Sequence, residues 1–451
     1  MRITLPRALR SLVLVALGTP GFVAAQLPQA EPAPDPQALA DRIQGEVAEI
    51  RGLPFVRPVT AQSQSPEDFA QYLQRELESV VPPTIAEHYN DIVRKVGLYR
   101  GEKDLELTEL MKGVMTSQVA AYYDPVESAF YVLFDDMPPM MAGTIYAHEL
   151  YHGLQDQHFD LEAYIQDVQR NRTLNDDEIL ARQAVVEGEA TYVMTLWMMR
   201  NMLGTVPPRA ALQQAIAMQS QLDVDALKAS VQQAGLTSML GEDFTSALES
   251  TEDIPAFIIE TLVGAYLKGL GFVFAVEERG WSEVEKLYKE YPPQSTEQIL
   301  HPEKWFARET PVRFEWPSLE SHELFKGWEV LEQNVVGELQ WRIIFAEHGL
   351  AAESQSVAAG WNGDRWAVLR HRGTGALLLL LRSTWDTEQD AIEFVAAYER
   401  LLGVKYAGSD EPTRVVRNGR DVLIVEGGDG ASLDRYVDFL ASARTAQEVR
   451  R

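Results

Sequence analysis

The sequence predicts an α+β fold in two parts: a mainly helical part with one β-hairpin, followed by a smaller α+β unit. Apolar residues recur at helical spacing over most of residues 38–315, as in helices that bury one face. Two β-rich runs on either side of the turn-forming pair Asp124 and Pro125 predict the hairpin. From residue 328 onward, short helical and strand patterns alternate. We therefore place a domain boundary between residues 315 and 328.

Residues 1–25 have the features of a signal peptide. Three arginines precede the short apolar run Ser11–Gly18, and small residues end the segment at Ala25, which is typical of a secretory signal. We predict cleavage after Ala25 and a secreted or periplasmic bacterial protein. Residues 26–37 contain four prolines and are predicted to form an extended linker. No later segment is expected to be apolar enough to span a membrane.

Composition limits the partners of the chain. It contains no cysteine, so the fold must be held by its core and not by disulfides. Its formal net charge is −27, and becomes −30 once the three arginines of residues 1–25 are removed. Such a surface repels nucleic acid and anionic membranes, and we expect neither as a partner. The charge suits either a plain solvated surface or one that attracts cationic peptides.

The strongest functional motif is His-Glu-x-x-His, from His148 to His152. Residues 143–159 contain no proline and predict a helix. On that helix the two histidines lie one turn apart on one face, so both imidazoles can reach a single ion. Glu149 lies beside them, where a carboxylate can act on a metal-bound water. The motif predicts a zinc-dependent hydrolase; the alternative is a solvated helix surface.

A third ligand is expected from a second helix, predicted from about residue 177 to 202. Glu187 and Glu189 are the two candidates. The helical neighbours of Glu189 are mostly apolar, so its burial would require a partner. Glu187 has small or polar neighbours that leave room for an ion. The residues alone leave both glutamates open.

The His-Glu-x-x-His motif followed by Glu-Gly-x-Ala at 187–190 resembles the gluzincin clan of zinc metallopeptidases. The wider pattern, including residues 120–125 and 295–302, resembles a set of poorly characterised secreted bacterial metallopeptidase-like proteins. The resemblance implies a mainly helical, zincin-like catalytic domain over residues 38–315 that hydrolyses a peptide or protein substrate.

The same resemblance implies roles for individual residues. His148, His152 and Glu187 would bind Zn²⁺, and Glu149 would be the general base that takes a proton from the attacking water. A histidine or tyrosine outside the ligand set often stabilises the oxyanion in this clan, and His301 is the candidate; the alternative is a structural histidine.

Two further expectations concern the surroundings of the metal. An edge strand in gluzincins pairs with the extended substrate, and one of the hairpin strands, within 118–123 or 129–133, is the candidate. Asp156 lies one turn after His152 and is the candidate acceptor for the other ring N–H of that histidine. Exposure of Asp156 on the surface is the alternative.

Residues 328–451 predict a small antiparallel sheet covered by helices, without a catalytic motif. The predicted elements are a helix over 331–348, strands over 365–370 and 376–382, a helix opened by a capping box at 386–389, a hairpin turn at 418–419 and a last helix from about 432.

The sequence thus predicts a secreted zinc metallopeptidase. The alternative is a non-catalytic envelope protein that keeps a metallopeptidase-like fold for binding or assembly. The carboxylate of Glu149 favours the enzyme, because a purely structural metal site does not need it. Cleavage specificity and oligomeric state are not predicted by the sequence.

Overall fold

The computed structural model describes residues 12–14, 35–80, 83–106, 110, 119–133, 139–166, 173–220 and 255–445. Most of the predicted signal peptide and linker, and residues 221–254, lie outside these ranges. The α+β class predicted from the sequence is confirmed, since helices predominate and several small sheets accompany them.

The first part of the chain is mainly helical. Its helices are α1 (Pro36–Arg51), α2 (Pro66–Val80), α3 (Pro83–Val96), α4 (Pro139–Phe159), α5 (Leu161–Gln166), α6 (Asp176–Leu203), α7 (Arg209–Ser220), α8 (Ala256–Glu277), α9 (Trp281–Lys289), α10 (Thr296–Leu300) and α11 (Pro302–Phe306). The two helices predicted to carry metal ligands are therefore present as α4 and α6. Asn175 begins α6 through a reciprocal capping box with Glu178, which satisfies two backbone donors at the helix start.

A small four-stranded sheet lies beside α4. Its strands are β1 (Leu12–Leu14), β2 (Thr60–Ser63), β3 (Val119–Asp124) and β4 (Ala129–Val132), in the order β1-β3-β4-β2. The antiparallel pairing of β3 with β4 confirms the predicted hairpin. The expectation that one of these strands lies at a sheet edge is wrong while residues 12–14 are present, because β1 and β2 flank the hairpin.

The C-terminal unit contains a five-stranded antiparallel sheet in the order β6-β7-β8-β10-β9. Its elements, with two short flanking strands, are β5 (Phe314–Glu315), β6 (Trp328–Asn334), α12 (Gly337–Phe345), α13 (Ala351–Ala358), β7 (Trp361–His371), β8 (Leu377–Trp385), α14 (Glu388–Lys405), β9 (Thr413–Asn418), β10 (Asp421–Gly427), α15 (Leu433–Ala441) and β11 (Arg444–Thr445). The helix predicted over 331–348 begins only at Gly337, because the preceding residues pair with β7 as part of β6.

The core of the C-terminal unit is continuous with the first part of the chain. Phe69 of α2 and Ile92 of α3 belong to the same buried apolar cluster as Trp341, Trp366 and Phe394. Helix α3 packs against β6 and β8. Burial of aromatic side chains in one shared cluster stabilises the contact between the two parts.

Helix α8 is unusually apolar. By length and composition Phe257–Glu277 is long and apolar enough to cross a membrane, so the expectation that no segment after residue 25 meets that criterion is wrong. The same composition suits a helix enclosed within a protein core. In the structure α8 is mostly buried and packs along α6.

Helices α6 and α8 meet at two glycines with their backbones in contact. A Cβ atom added to Gly188 would lie 2.1 Å from the carbonyl carbon of Gly269, and one added to Gly269 would lie 2.0 Å from the oxygen of Ala184. Only glycine permits this approach, since any side chain there would overlap backbone atoms that cannot rotate away. The contact holds α8 against the turn of α6 that contains Ala184, Glu187 and Gly188.

Replacement of Gly188 by alanine is expected to lower the free energy of unfolding by about 1–3 kcal/mol or more, because α8 must move away from α6. The matched control is Gly45→Ala in α1, where an added Cβ meets nothing within 4 Å and is expected to stabilise by about 0.5–1 kcal/mol. Urea unfolding followed by circular dichroism measures both. Equal stability of Gly188→Ala and the unmodified protein would contradict the backbone contact.

Candidate metal centre

Helices α4 and α6 bring two histidines and one glutamate together. Nε2 of His148 lies 3.2 Å from Oε2 of Glu187, and Nε2 of His152 lies 3.4 Å from the same oxygen. The two Nε2 atoms are 3.0 Å apart. The His-x-x-x-His spacing places both rings on one face of α4, as predicted, and α6 packs against that face.

The three ligand atoms have the spacing of a tetrahedral zinc site. Zinc bonds of about 2.0–2.1 Å to imidazole nitrogen and carboxylate oxygen imply about 3.3 Å between neighbouring ligand atoms. The observed separations of 3.0–3.4 Å bracket that value. Two imidazoles and one carboxylate also leave a fourth position, as in catalytic zinc sites. The residues therefore fit a zinc ion.

All three groups are removed from solvent, which shifts their proton affinities. The exposed fractions of His148, His152 and Glu187 are 1%, 0% and 3%. Burial lowers the pKa of His148 to about 4. Burial alone would also lower the pKa of His152, but the Glu187 carboxylate, with a contribution from Glu149, raises it to about 9. Burial opposes ionisation of Glu187, yet the two histidines hold its pKa below the usual value. A carboxylate is thus kept charged in a dry site, where it favours a cation.

Glu149 is fully buried and anchored to the neighbouring sheet. Its Oε2 accepts a hydrogen bond of 2.8 Å from the backbone N–H of Tyr123 in β3. Its charge raises the pKa of His152, as the charge of Glu187 does. The helix position next to His148 and the contact with β3 together place Glu149 between the candidate metal site and the sheet.

The structure separates the two glutamates that the sequence left open. They are two residues apart, and side chains two apart on an α-helix point about 200° away from each other. Glu187 therefore contacts the two histidines, whereas Glu189 contacts a separate set of buried residues, Arg51 of α1, Gln155 of α4 and Tyr288 of α9. Oε1 of Glu189 accepts a hydrogen bond of 2.9 Å from Nε of the buried Arg51. Glu187 alone of the two joins the histidines as a ligand candidate.

His301 is not brought into this group of ligand atoms. It lies at the junction of α10 and α11, and its Nε2 is 3.0 Å from Oε1 of Glu338 in α12. Its other charged neighbour is Glu303. These contacts are those of the structural alternative, and they give no support to a role at the oxyanion.

Asp156 does not accept the ring N–H of His152; that expectation is wrong. Nδ1 of His152 lies 2.8 Å from Oε1 of Gln155 instead. Asp156 bonds the hydroxyl of Tyr123 and the backbone N–H of Leu161. Position 155 lies three residues after His152, a spacing that shares a helix face as well as the four-residue spacing does. An amide oxygen can accept this hydrogen bond as a carboxylate does, so the spacing alone made Gln155 as good a candidate as Asp156.

Tyr266 is a second site residue that was not predicted from the sequence. Its ring stacks on His148 at 5.9 Å between centroids, and its hydroxyl hydrogen-bonds Glu187. Burial, together with the charges of Glu187 and Glu149, raises its pKa well above the usual value, so the hydroxyl keeps its proton. Tyr266 lies in the apolar α8, three residues before Gly269, and nothing in its sequence neighbourhood indicates chemistry.

A second acidic group involves Glu297, Glu309 and Asp386. Nζ of Lys304 contacts all three carboxylates, at 2.6, 3.1 and 2.5 Å. The ammonium group thus already supplies the positive charge that these acids require. This cluster joins α10 and α11 to the end of β8 and is a structural ion-pair network.

Alanine substitution of His148 or Glu187 is expected to weaken zinc binding by at least about a hundredfold, since even groups that merely support a ligand contribute about 10–100-fold. The matched control is His158→Ala on the same helix, because Nε2 of His158 lies 2.7 Å from the carbonyl oxygen of Pro54 and His158 does not belong to the ligand group. Competition with a chromogenic chelator measures the Kd of each variant. Unchanged affinity in both ligand variants would exclude this site.

Comparison with known proteins finds a similarity in the C-terminal unit alone. Residues 324–437 match a family described as a domain of unknown function (DUF8575). No curated protein and no solved structure matches the chain. The matched segment covers the five-stranded sheet with α12–α14 and most of α15, and it does not include the candidate metal centre.

Proposed function

We propose that the chain is a secreted or periplasmic zinc-dependent metallopeptidase with a zincin-like catalytic domain. The observation that supports it most strongly is the convergence of two imidazole nitrogens and one carboxylate oxygen, with an acid next to the first histidine on the same helix. That set of groups is the one required for metal-assisted hydrolysis of an amide.

The chemistry divides among the residues of the site. When bound, zinc supplies a Lewis acid that lowers the pKa of a coordinated water towards about 7. Glu149 accepts the proton of the attacking water and returns it to the leaving amine. Its hydrogen bond to the Tyr123 backbone holds the carboxylate in place without neutralising it. Exclusion of water strengthens each of these interactions.

Tyr266 takes the role for which the sequence suggested His301. Its hydroxyl is protonated and lies at the Glu187 edge of the ligand set. A donor in that position can hydrogen-bond the oxygen of the scissile carbonyl as negative charge develops there. The backbone contact of α6 with α8 keeps the ring over His148.

Substrate must reach this buried site along β3. The backbone of Tyr123 in β3 contacts Glu149, and β1 pairs with the side of β3 opposite to β4. Cleavage after Ala25, as the sequence predicts, would remove β1 and leave that side of β3 for an extended polypeptide. The mature chain that begins at Gln26 is therefore the form in which activity is expected.

In the mature chain, Glu149→Gln is expected to reduce the rate of peptide hydrolysis by about 10²–10⁴-fold, because the amide cannot accept the proton of the attacking water. Zinc content should remain equimolar, since position 149 supplies no ligand. A digest of a peptide library, analysed by mass spectrometry with and without chelator, measures activity. Full activity of the variant would exclude the mechanism; a zinc-loaded protein without any hydrolysis would favour the non-catalytic alternative.

Tyr266→Phe is expected to lower kcat by about 10²–10³-fold with little change in KM, since the lost donor acts on the transition state. Tyr192→Phe in α6 is the matched control, because that hydroxyl bonds Glu277, which is not part of the ligand set. Steady-state kinetics on a peptide identified from the digest provides both constants. An unchanged kcat for Tyr266→Phe would remove Tyr266 from the mechanism.

A further inference from the structure

The amide nitrogen of Gln155 is surrounded by acceptors. Its two hydrogens have three acceptors within reach: the carbonyl oxygen of Val186 at 3.0 Å from Nε2, Oε2 of Glu189 at 3.1 Å and the hydroxyl oxygen of Tyr288 at 2.8 Å. The Tyr288 hydroxyl in turn donates to Glu189 at 2.6 Å. All of these groups are buried, so each hydrogen bond would be costly to leave unmade.

This arrangement permits only one orientation of the amide. If Gln155 were flipped, its carbonyl oxygen would face the Val186 carbonyl and the Glu189 carboxylate, and these three acceptors would share the single hydrogen of the Tyr288 hydroxyl. The oxygen Oε1 must therefore point the other way, where it lies 2.8 Å from Nδ1 of His152. A carbonyl oxygen only accepts, so Nδ1 of His152 must carry the hydrogen.

In the neutral imidazole, which is the form that binds a metal, a hydrogen on Nδ1 leaves the lone pair of His152 on Nε2. That atom is the one that lies 3.0 Å from Nε2 of His148 and 3.4 Å from Oε2 of Glu187. A neutral imidazole binds a metal through the nitrogen that lacks hydrogen. The orientation of one amide thus determines which nitrogen His152 presents to the ion.

The negative charge of Glu189, which helps to hold the Gln155 amide in this orientation, is balanced by Arg51 of α1. Glu189 is 0% exposed, and Arg51, the last residue of α1, is 2% exposed and pairs with it at 2.9 Å. The guanidinium stacks on Trp281 at 4.4 Å from the ring centroid and donates to the hydroxyl of Tyr151 at 3.0 Å. A buried carboxylate without this partner would be unstable in the charged form.

We infer that Arg51, Glu189 and Gln155 form a relay of positioning residues that fixes the tautomer of His152 and so prepares its Nε2 for the metal. The inference rests on the proposed metal site. The end of the relay at the histidine is a neutral amide, so the relay adds no charge beside the ligands. Glu187 is the carboxylate that contacts both histidines.

Two readouts test the relay in the mature protein. The first is the two-bond ¹⁵N–¹H spectrum of histidine-labelled, metal-free protein, recorded at a pH above the raised pKa of His152 so that its imidazole is neutral. This spectrum reports which ring nitrogen of His152 carries hydrogen. The second is the zinc Kd from chelator competition. Gln155→Met is expected to populate the Nε2–H tautomer and to weaken zinc binding about 10–100-fold. Gln157→Met is the matched control, because Gln157 lies on the same helix but bonds the backbone of Val56 and Arg57.

A double-mutant cycle separates the relay from general destabilisation. Glu189→Gln is expected to weaken zinc binding in the otherwise unmodified protein and to add little in the Gln155→Met background, because Glu189 acts through Gln155. If Glu189→Gln does not fold, Arg51→Lys takes its place, since lysine keeps the charge but loses the directed Nε contact.

The outcomes distinguish this inference from the proposed function. An Nδ1–H tautomer of His152 and an unchanged zinc Kd in folded Gln155→Met would overturn the relay while leaving the metal site intact. Additive effects of the two substitutions would overturn it as well. Failure of the unmodified protein to bind zinc would instead remove the metal site on which both rest. Absence of peptide hydrolysis with the tautomer shift present would contradict only the enzymatic activity.

Discussion

The Glu187 carboxylate and the imidazoles of His148 and His152 lie together in a buried site. The helices around them must supply partners that offset the free-energy cost of removing these polar groups from water. Burial of polar groups is tolerated only when each finds a partner. Glu187 finds its partners in His148, His152 and Tyr266. A divalent cation at the point where the three ligand atoms meet would satisfy them together. We therefore regard α4, α6 and α8 as a scaffold whose packing is set by this site.

Helix α6 serves two sides of the site at once. Its Glu187 contacts the histidines of α4, and its Glu189 pairs with Arg51 of α1 and accepts a hydrogen bond from Gln155 of α4. Gly188 lies between them and allows α8 to approach with Tyr266. Three consecutive positions thus supply a ligand candidate, a backbone contact and a support for His152. This division of roles explains why two glutamates so close in sequence are not interchangeable.

The features that depend on local periodicity could be predicted from the sequence. Spacing within a few residues predicts the helices α4 and α6, the β3–β4 hairpin and the turn at Gly419. The same kind of spacing places His148 and His152 on one helix face. The choice of Glu187 over Glu189, the partner of His152 and the position of Tyr266 depend on which helix faces which. The capping box of α14 was placed one residue early, since Thr387 and not Asp386 is the cap. The start of the helix after β6 was misplaced because pairing with β7 outweighs local propensity.

The similarity to a domain of unknown function covers residues 324–437 and does not include the candidate metal centre, so the case for the metal rests on the geometry of the site. The most direct test is X-ray absorption spectroscopy of the zinc-loaded mature protein. We expect one zinc per chain, bound by two imidazole nitrogens and by carboxylate or water oxygens at about 2.0–2.2 Å. A spectrum without imidazole scattering, or a shell made of oxygen alone, would contradict the claim that His148, His152 and Glu187 bind the metal.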